Sequence, residues 1–145
     1  MKQAGTALHD IKIHVKIKIS ALWASAMCCY IYGDFFLLYQ PGKLQEMLEG
    51  KMAPFGPTTQ GVLVGTSISM AIPALMIFLS LALKANLSRW LNIILGALYS
   101  LFVLVTMPGA WAFYLFMGSV DILITSLIVW YAWTWPKQET ASQDT

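Results

Sequence analysis

The sequence predicts an all-α membrane protein, a bundle of four transmembrane helices with a short amphipathic interfacial helix between helices 1 and 2. Of the 145 residues, 58% are hydrophobic and only 11% are charged, which is too apolar for an ordinary soluble domain of this length. The apolar residues also fall into four runs long enough to cross a bilayer, for which about 20 residues suffice. Because a chain in lipid must satisfy its own backbone hydrogen bonds, each run is expected to be helical.

Residues 1–18 are predicted to form a basic cytoplasmic segment at the lipid headgroups. Apolar and basic residues alternate in 11–19, which formally indicates a strand, but a single strand has no partner here. We favour a segment whose lysines attract anionic lipid, at about 1 kcal/mol each. His9 and His14 are five positions apart and share no helical face, so solvated histidines are favoured over a metal site.

The first span is predicted at 19–39 and carries a carboxylate, Asp34. Tyr30 lies four residues earlier, so its hydroxyl can reach that carboxylate on a helix. The adjacent Cys28 and Cys29 suit neither a metal site nor a redox pair and are interpreted as packing residues. Small residues at four-residue spacing predict a seam for close packing of another helix, namely Ala21, Ser25, Cys29 and Gly33.

The turn Gln40-Pro41-Gly42 ends the first span, and 43–52 is predicted to be a short amphipathic helix on the membrane surface. The second span is predicted at 61–83. It repeats the small-residue spacing with Gly61, Gly65 and Ser69, and Pro73 interrupts it near its middle. Proline lacks a backbone donor, so the Ser69 carbonyl should lose its usual partner and the helix should kink.

The third span is predicted at 90–107, after a polar turn at 84–89 and before Pro108-Gly109. The fourth span is predicted at 110–135, carries Asp121 and ends in tryptophan and tyrosine residues typical of a membrane interface. Residues 136–145 are polar and are predicted to be a disordered tail. One face of the third span holds Asn92, Gly96, Tyr99, Val103 and Thr106.

The distribution of basic residues predicts the orientation. Four spans place both termini on one side, and seven of the nine Lys and Arg residues fall there, leaving Lys43 and Lys51 on the other side. By the positive-inside rule both termini are cytoplasmic, in a multi-pass protein of the inner (plasma) membrane. A net charge of +2 is too small to suggest a nucleic acid partner.

Asp34 and Asp121 are predicted to reach similar depths in the outer half of the bilayer. No Lys, Arg or His lies within a span, and a bare carboxylate at mid-bilayer costs about 2.5 to 3.5 kcal/mol on insertion scales. Two interpretations remain open: neutral acids whose hydrogen bonds lock the bundle, or a proton or cation relay. The candidate intramembrane polar site comprises Asp34, Asp121, Tyr30, Tyr99 and Thr125.

Several short motifs resemble an uncharacterised bacterial family of small four-helix integral membrane proteins. The resemblance covers nearly the whole chain between Lys18 and Trp135 and implies a membrane topology and a bacterial origin but no activity. The motifs that carry it are Ala21-Leu22-Trp23, Tyr30-Ile31-Tyr32-Gly33-Asp34, Pro41-Gly42, Pro73 and Asn92-Ile93.

Three function classes follow from these observations. The favoured one is a structural or accessory membrane protein with a buried Asp34/Asp121 pair, whose small-residue seams bind a second copy or another membrane protein. The alternative is a proton- or cation-coupled transporter of a small solute that uses Asp34 and Asp121. An enzyme is disfavoured, because no catalytic motif, phosphate-binding loop, cofactor site or metal site is recognisable.

Overall fold

A computed structural model describes residues 11–52 and 55–136. In this part of the chain, four long helices pack together and one short helix lies between the first two of them, which confirms the predicted architecture. All four long helices are long and apolar enough to cross a membrane. The elements are α1 (Val15–Leu37), α2 (Lys43–Leu48), β1 (Lys51–Met52), β2 (Gly56–Pro57), α3 (Gln60–Ala82), α4 (Ala85–Thr106) and α5 (Ala112–Trp133).

Helix α1 begins four residues before the predicted span. His14 is its N-cap, and the His14 Nδ1 atom accepts a hydrogen bond from the Lys16 backbone N–H at 3.2 Å. This cap satisfies one of the free donors at the start of the helix, so the alternating segment becomes helical from Val15 onward. His9 and the predicted tail beyond Pro136 lie outside the described residues.

The connection between α1 and α3 contains a short hairpin that the sequence analysis does not predict. Gly42 adopts a positive φ of 83°, which allows the sharp turn into α2. Strands β1 and β2 then pair in antiparallel register, with Lys51 opposite Pro57. We call this side of the bundle the hairpin end and the opposite side, where α1 and α4 begin and α3 and α5 end, the basic end.

The turn between α3 and α4 is shorter than predicted, because α4 already begins at Ala85 rather than at Trp90. Buried side chains make this early start possible. The Ser88 hydroxyl donates to the Ser80 carbonyl at 3.1 Å and so ties the first turn of α4 to the end of α3.

Helix α5 packs against α1 and α4, α1 also packs against α3, and α3 has only a thin contact with α4. The α4–α5 contact requires Gly96, because a Cβ atom there would lie 2.9 Å from the Val129 side chain and 3.3 Å from the Thr125 carbonyl oxygen. By contrast, the predicted seams on α1 and α3 do not form contacts of this kind. A Cβ atom on Gly33 or Gly65 would meet nothing within 4 Å.

Two basic side chains cap helix C-termini at the basic end. Lys16 Nζ donates to the carbonyls of Leu81 and Leu83 at the end of α3. Arg89 donates to the carbonyls of Ala132 and Trp133 at the end of α5, at 3.1 and 3.3 Å. These positive groups satisfy carbonyls that have no partner within their helix and complement the negative end of the helix dipole.

Candidate functional site

Asp121 is the buried carboxyl group of the bundle. It lies near the middle of α5, and only 2% of its surface is exposed. Both carboxyl oxygens are buried, and neither has a hydrogen-bond partner among the described residues. A buried polar group without a partner costs free energy, and most such groups in folded proteins are hydrogen-bonded. Asp121 is therefore an exception that needs an explanation.

The Tyr30 hydroxyl approaches Asp121 from α1. It lies close enough to the carboxyl group for an electrostatic interaction. The hydroxyl is also buried and, among the described residues, makes no hydrogen bond of normal geometry. A proton donor and a proton acceptor thus face each other across the α1–α5 contact, and each retains capacity for a further partner.

Tyr99 belongs to the same region but is engaged elsewhere. Its hydroxyl donates to the Ser69 carbonyl at 2.5 Å. This is the carbonyl that Pro73 deprives of a backbone donor. The free acceptor is predictable from the sequence, whereas the side chain that donates to it is not. The Tyr99 ring lies between those of Trp23 and Tyr30, with centroids 6.1 and 6.2 Å away.

Thr125 is fully buried one turn after Asp121 in α5. Its hydroxyl lies 2.8 Å from the Asp121 backbone carbonyl and 2.7 Å from the Ser100 hydroxyl on α4. Thr125 therefore joins α5 to α4 but does not satisfy the Asp121 carboxyl group.

Asp34 does not join this site. It lies on the exposed surface of α1, although the preceding Gly33 is buried. The first half of α3, which could cover this part of α1, buries none of its residues, because the buried residues of α3 are Pro73, Met76 and Ser80. The expectation of one buried Asp34/Asp121 pair is therefore not met, and Asp121 has Tyr30 rather than Asp34 as its neighbour.

A second polar cluster, which the sequence analysis does not predict, lies nearer the basic end. The Asn92 Oδ1 atom accepts hydrogen bonds from Trp23 Nε1 at 2.6 Å and from Ser80 Oγ at 3.1 Å. The Asn92 Nδ2 group donates to the Ser88 carbonyl at 2.7 Å and lies 3.2 Å from Ser88 Oγ. All four residues are fully buried. The signal for it in the sequence was an amide, Asn92, within the third predicted span, on the same face as Gly96 and Tyr99.

The groups at Asp121 suit the binding of a proton or a small cation. In the described part of the chain, no three His, Cys, Asp or Glu residues are grouped in a way that could hold a metal ion. Tyr30 and Asp121 together offer one hydroxyl and one carboxyl group, a combination that can take up a proton or hold a small cation but provides no activated nucleophile.

Comparisons with known proteins place the chain in a family but supply no activity. No curated protein and no solved structure matches it. A family model described as a family of unknown function, DUF6326, matches residues 8–142, which is nearly the whole chain. The match extends over all four long helices and includes Tyr30, Asn92 and Asp121. The chain therefore belongs to DUF6326, a family of unknown function.

Proposed function

We propose that this chain is a multi-pass membrane protein that takes up a proton or a small cation at Asp121 and couples this step to the movement of a small solute. The proposal keeps the coupled-transporter hypothesis of the sequence analysis but assigns the coupling site to Asp121 alone. Asp34 has no place in it, because it is exposed rather than buried.

The observation that carries the proposal is the buried Asp121 carboxyl group, which has no hydrogen-bond partner of normal geometry among the described residues. A carboxyl group that locks a bundle should make well-formed hydrogen bonds to other helices. Here the nearby hydroxyls of Tyr99 and Thr125 bond to other acceptors and the Tyr30 hydroxyl makes no hydrogen bond of normal geometry, so little offsets the cost of burying Asp121. Ionisable residues inside membrane bundles typically mark proton or ion pathways.

The surroundings of Asp121 suit reversible binding. In its protonated form the carboxyl group is neutral and tolerates an apolar site, whereas its anion needs a donor or a cation. The Tyr30 hydroxyl faces the anion and can donate to it. Exchange between these two forms is the simplest event that the site can perform.

A structural or accessory role is the second candidate, and the Asn92 cluster favours it. This cluster joins α1, α3 and α4 through buried hydrogen bonds that do not involve Asp121. In an accessory protein, the exposed members of the small-residue seams on α1 and α3, such as Ala21, Ser25 and Gly65, would bind a second copy or a different membrane protein.

Proton flux distinguishes the two candidates. The purified chain is reconstituted into liposomes that contain a pH-sensitive dye, and proton or sodium gradients are imposed. We expect flux above that of empty liposomes, reduced to the background level in Asp121→Asn. The matched control Asp34→Asn changes an exposed carboxyl group to the same amide and should retain the flux. Equal flux in wild type and Asp121→Asn, or none in either, would favour the accessory role.

Stability gives an independent test of the same choice. If Asp121 makes no hydrogen bond in the folded protein, Asp121→Leu should leave the free energy of unfolding unchanged or raise it by as much as about 3 kcal/mol. If the carboxyl group locks the bundle, the same change should lower that free energy by about 0.6 to 1.7 kcal/mol. Unfolding in detergent micelles measures this change in free energy. A decrease indicates that the carboxyl group locks the bundle, whereas no change or an increase indicates that it does not.

A further inference from the structure

The two halves of α3 are attached to the bundle in different ways. The second half contains all the buried residues of α3: Pro73, Met76 and Ser80. It is also held by hydrogen bonds, since the Ile77 carbonyl accepts from Ser20 Oγ at 2.6 Å and Ser80 bonds to Asn92. The first half, residues 60–72, has no buried residue, and apolar side chains such as Val64 and Ile68 are 57% exposed.

A single side-chain hydrogen bond ties the first half of α3 to another helix within the described ranges. It runs from the Tyr99 hydroxyl on α4 to the Ser69 carbonyl. The other hydroxyl groups of this half bond within α3, where Thr66 and Ser67 both donate to carbonyls one turn earlier. We call this hydrogen bond the tether, and its donor is a single residue of α4, Tyr99.

The tether lies at the point where α3 can bend. Pro73 removes the backbone hydrogen bond to the Ser69 carbonyl, and helices bend most readily where such a bond is missing. A hinge needs one fixed part, one free part and a weak point between them. In α3 these are the segment after Pro73, the segment before it and the Ser69 carbonyl.

We propose that the first half of α3 is a gate that opens by bending at Pro73, and that the Tyr99–Ser69 hydrogen bond is its latch. The latch stands next to the buried acid, because the Tyr99 ring contacts that of Tyr30, whose hydroxyl faces Asp121. In the open state, we expect water and a small cation to reach Asp121 from the hairpin end past Tyr30, while the Asn92 cluster holds the second half of α3 to α1 and α4. The role of the gate in ion entry rests on the proposed function, but the motion of the gate can be tested independently of that function.

Hydrogen–deuterium exchange of the full chain in lipid nanodiscs tests the gate. Tyr99→Phe keeps the ring and removes the latch. A hydrogen bond between membrane helices contributes about 0.6 to 1.7 kcal/mol, which corresponds to a roughly three- to twentyfold increase in the open population. We expect amide exchange in residues 60–72 to rise by that factor, while exchange in 73–82 and in α5 stays unchanged.

The matched control is Tyr114→Phe, which removes a tyrosine hydroxyl that lies 3.0 Å from Thr106 Oγ1 and makes no bond to α3. It should leave exchange in residues 60–72 at the wild-type rate. Unchanged exchange in Tyr99→Phe overturns the gate. Exchange raised equally throughout the chain overturns it as well, because Tyr99 would then support the whole bundle rather than one segment.

Access to Asp121 is measured separately with a water-soluble carbodiimide and an amine, which convert a reachable carboxyl group into an amide detectable by mass spectrometry. Modification of Asp121 should be faster in Tyr99→Phe by a similar factor, and Glu49, an exposed carboxyl group at the hairpin end outside the long helices, serves as the reference in the same chain. If the rate of Asp121 modification relative to the reference carboxyl group is the same in Tyr99→Phe and in wild type, the gate does not open a route to Asp121.

The gate and the proposed function can fail separately. If amide exchange responds to Tyr99→Phe but proton flux does not depend on Asp121, the gate stands and the proposed function fails. If flux depends on Asp121 but exchange does not respond to Tyr99→Phe, the gate alone is rejected.

Discussion

Asn92 illustrates how single residues hold this bundle together. Its amide makes hydrogen bonds to one residue on each of three helices, Trp23, Ser80 and Ser88, and water reaches none of these groups. Buried polar networks of this kind stabilise a fold only when every member is satisfied. Asp121, by contrast, is buried with its carboxyl oxygens unsatisfied. Both residues are buried, but only Asn92 makes well-formed hydrogen bonds that offset the cost of burying a polar side chain.

Replacing Asn92 with leucine should destabilise the bundle, because the Trp23 indole N–H and the Ser80 hydroxyl lose their shared acceptor while they stay buried. Leaving buried groups without partners costs about 1 to 3 kcal/mol, and we expect the free energy of unfolding to fall by that amount. Unfolding in detergent micelles measures it. Asn86→Leu is the matched control, because Asn86 is exposed on the same helix. Equal effects of the two changes would show that the Asn92 cluster contributes nothing specific.

Helix α3 shows how one element depends on another for its hydrogen bonds. The helix continues through Pro73, and the acceptor left free by proline is satisfied by a side chain of α4 instead of its own backbone. The α4–α5 pair uses a different device, since Gly96 lets the two backbones approach closely. These two contacts explain why α4 can meet both of its neighbours although α3 touches it only thinly.

A double-mutant cycle tests the link between Pro73 and Tyr99. With proline at 73, Tyr99→Phe leaves the Ser69 carbonyl without a partner and should cost about 0.6 to 1.7 kcal/mol of unfolding free energy. In Pro73→Ala the backbone N–H of residue 73 becomes available to that carbonyl, so the same change should cost close to nothing. The coupling energy should therefore exceed about 0.5 kcal/mol. Identical costs of Tyr99→Phe with proline and with alanine at 73 would disprove the link. The control Tyr114→Phe should show no coupling to Pro73→Ala.

At the scale of the whole molecule, the basic residues of the described part lie mostly at one end. Lys16 and Arg89 there cap helix C-termini, and Lys18 lies over the Tyr131 ring at 5.3 Å. Lys43 and Lys51 lie at the hairpin end beside Glu46 and Glu49, with which they form ion pairs. The positive-inside rule counts Lys and Arg residues, so this distribution favours the basic end as the cytoplasmic side.

The orientation is tested by labelling. We expect a cysteine at Lys43 to react with a membrane-impermeant maleimide added to whole cells, because the hairpin end should face outward. A cysteine at Lys84, in the turn of the basic end, should react only after the cells are opened. The reverse result would mean that the termini lie outside.

The sequence by itself determined the class of fold and most of the helices. Long apolar runs leave a chain in lipid with one way to satisfy its backbone, so four spans and a short surface helix could be predicted from composition and turn residues. Most of the face of the third span was also predictable, since Asn92, Gly96, Tyr99 and Val103 are buried, whereas Thr106 at the end of that face is only partly buried. The free carbonyl at Ser69 followed directly from the chemistry of proline.

Only the tertiary structure decided which helices meet, and this changed the candidate site. Small residues at regular spacing predicted seams on α1 and α3, yet the close approach occurs at Gly96 between α4 and α5. Likewise, a shared depth placed Asp34 and Asp121 together, whereas Asp34 is exposed on α1 and the first half of α3 buries none of its residues. Periodicity determines which residues share one face of a helix. It does not determine whether that face packs against another helix or against lipid, because both surroundings are equally apolar.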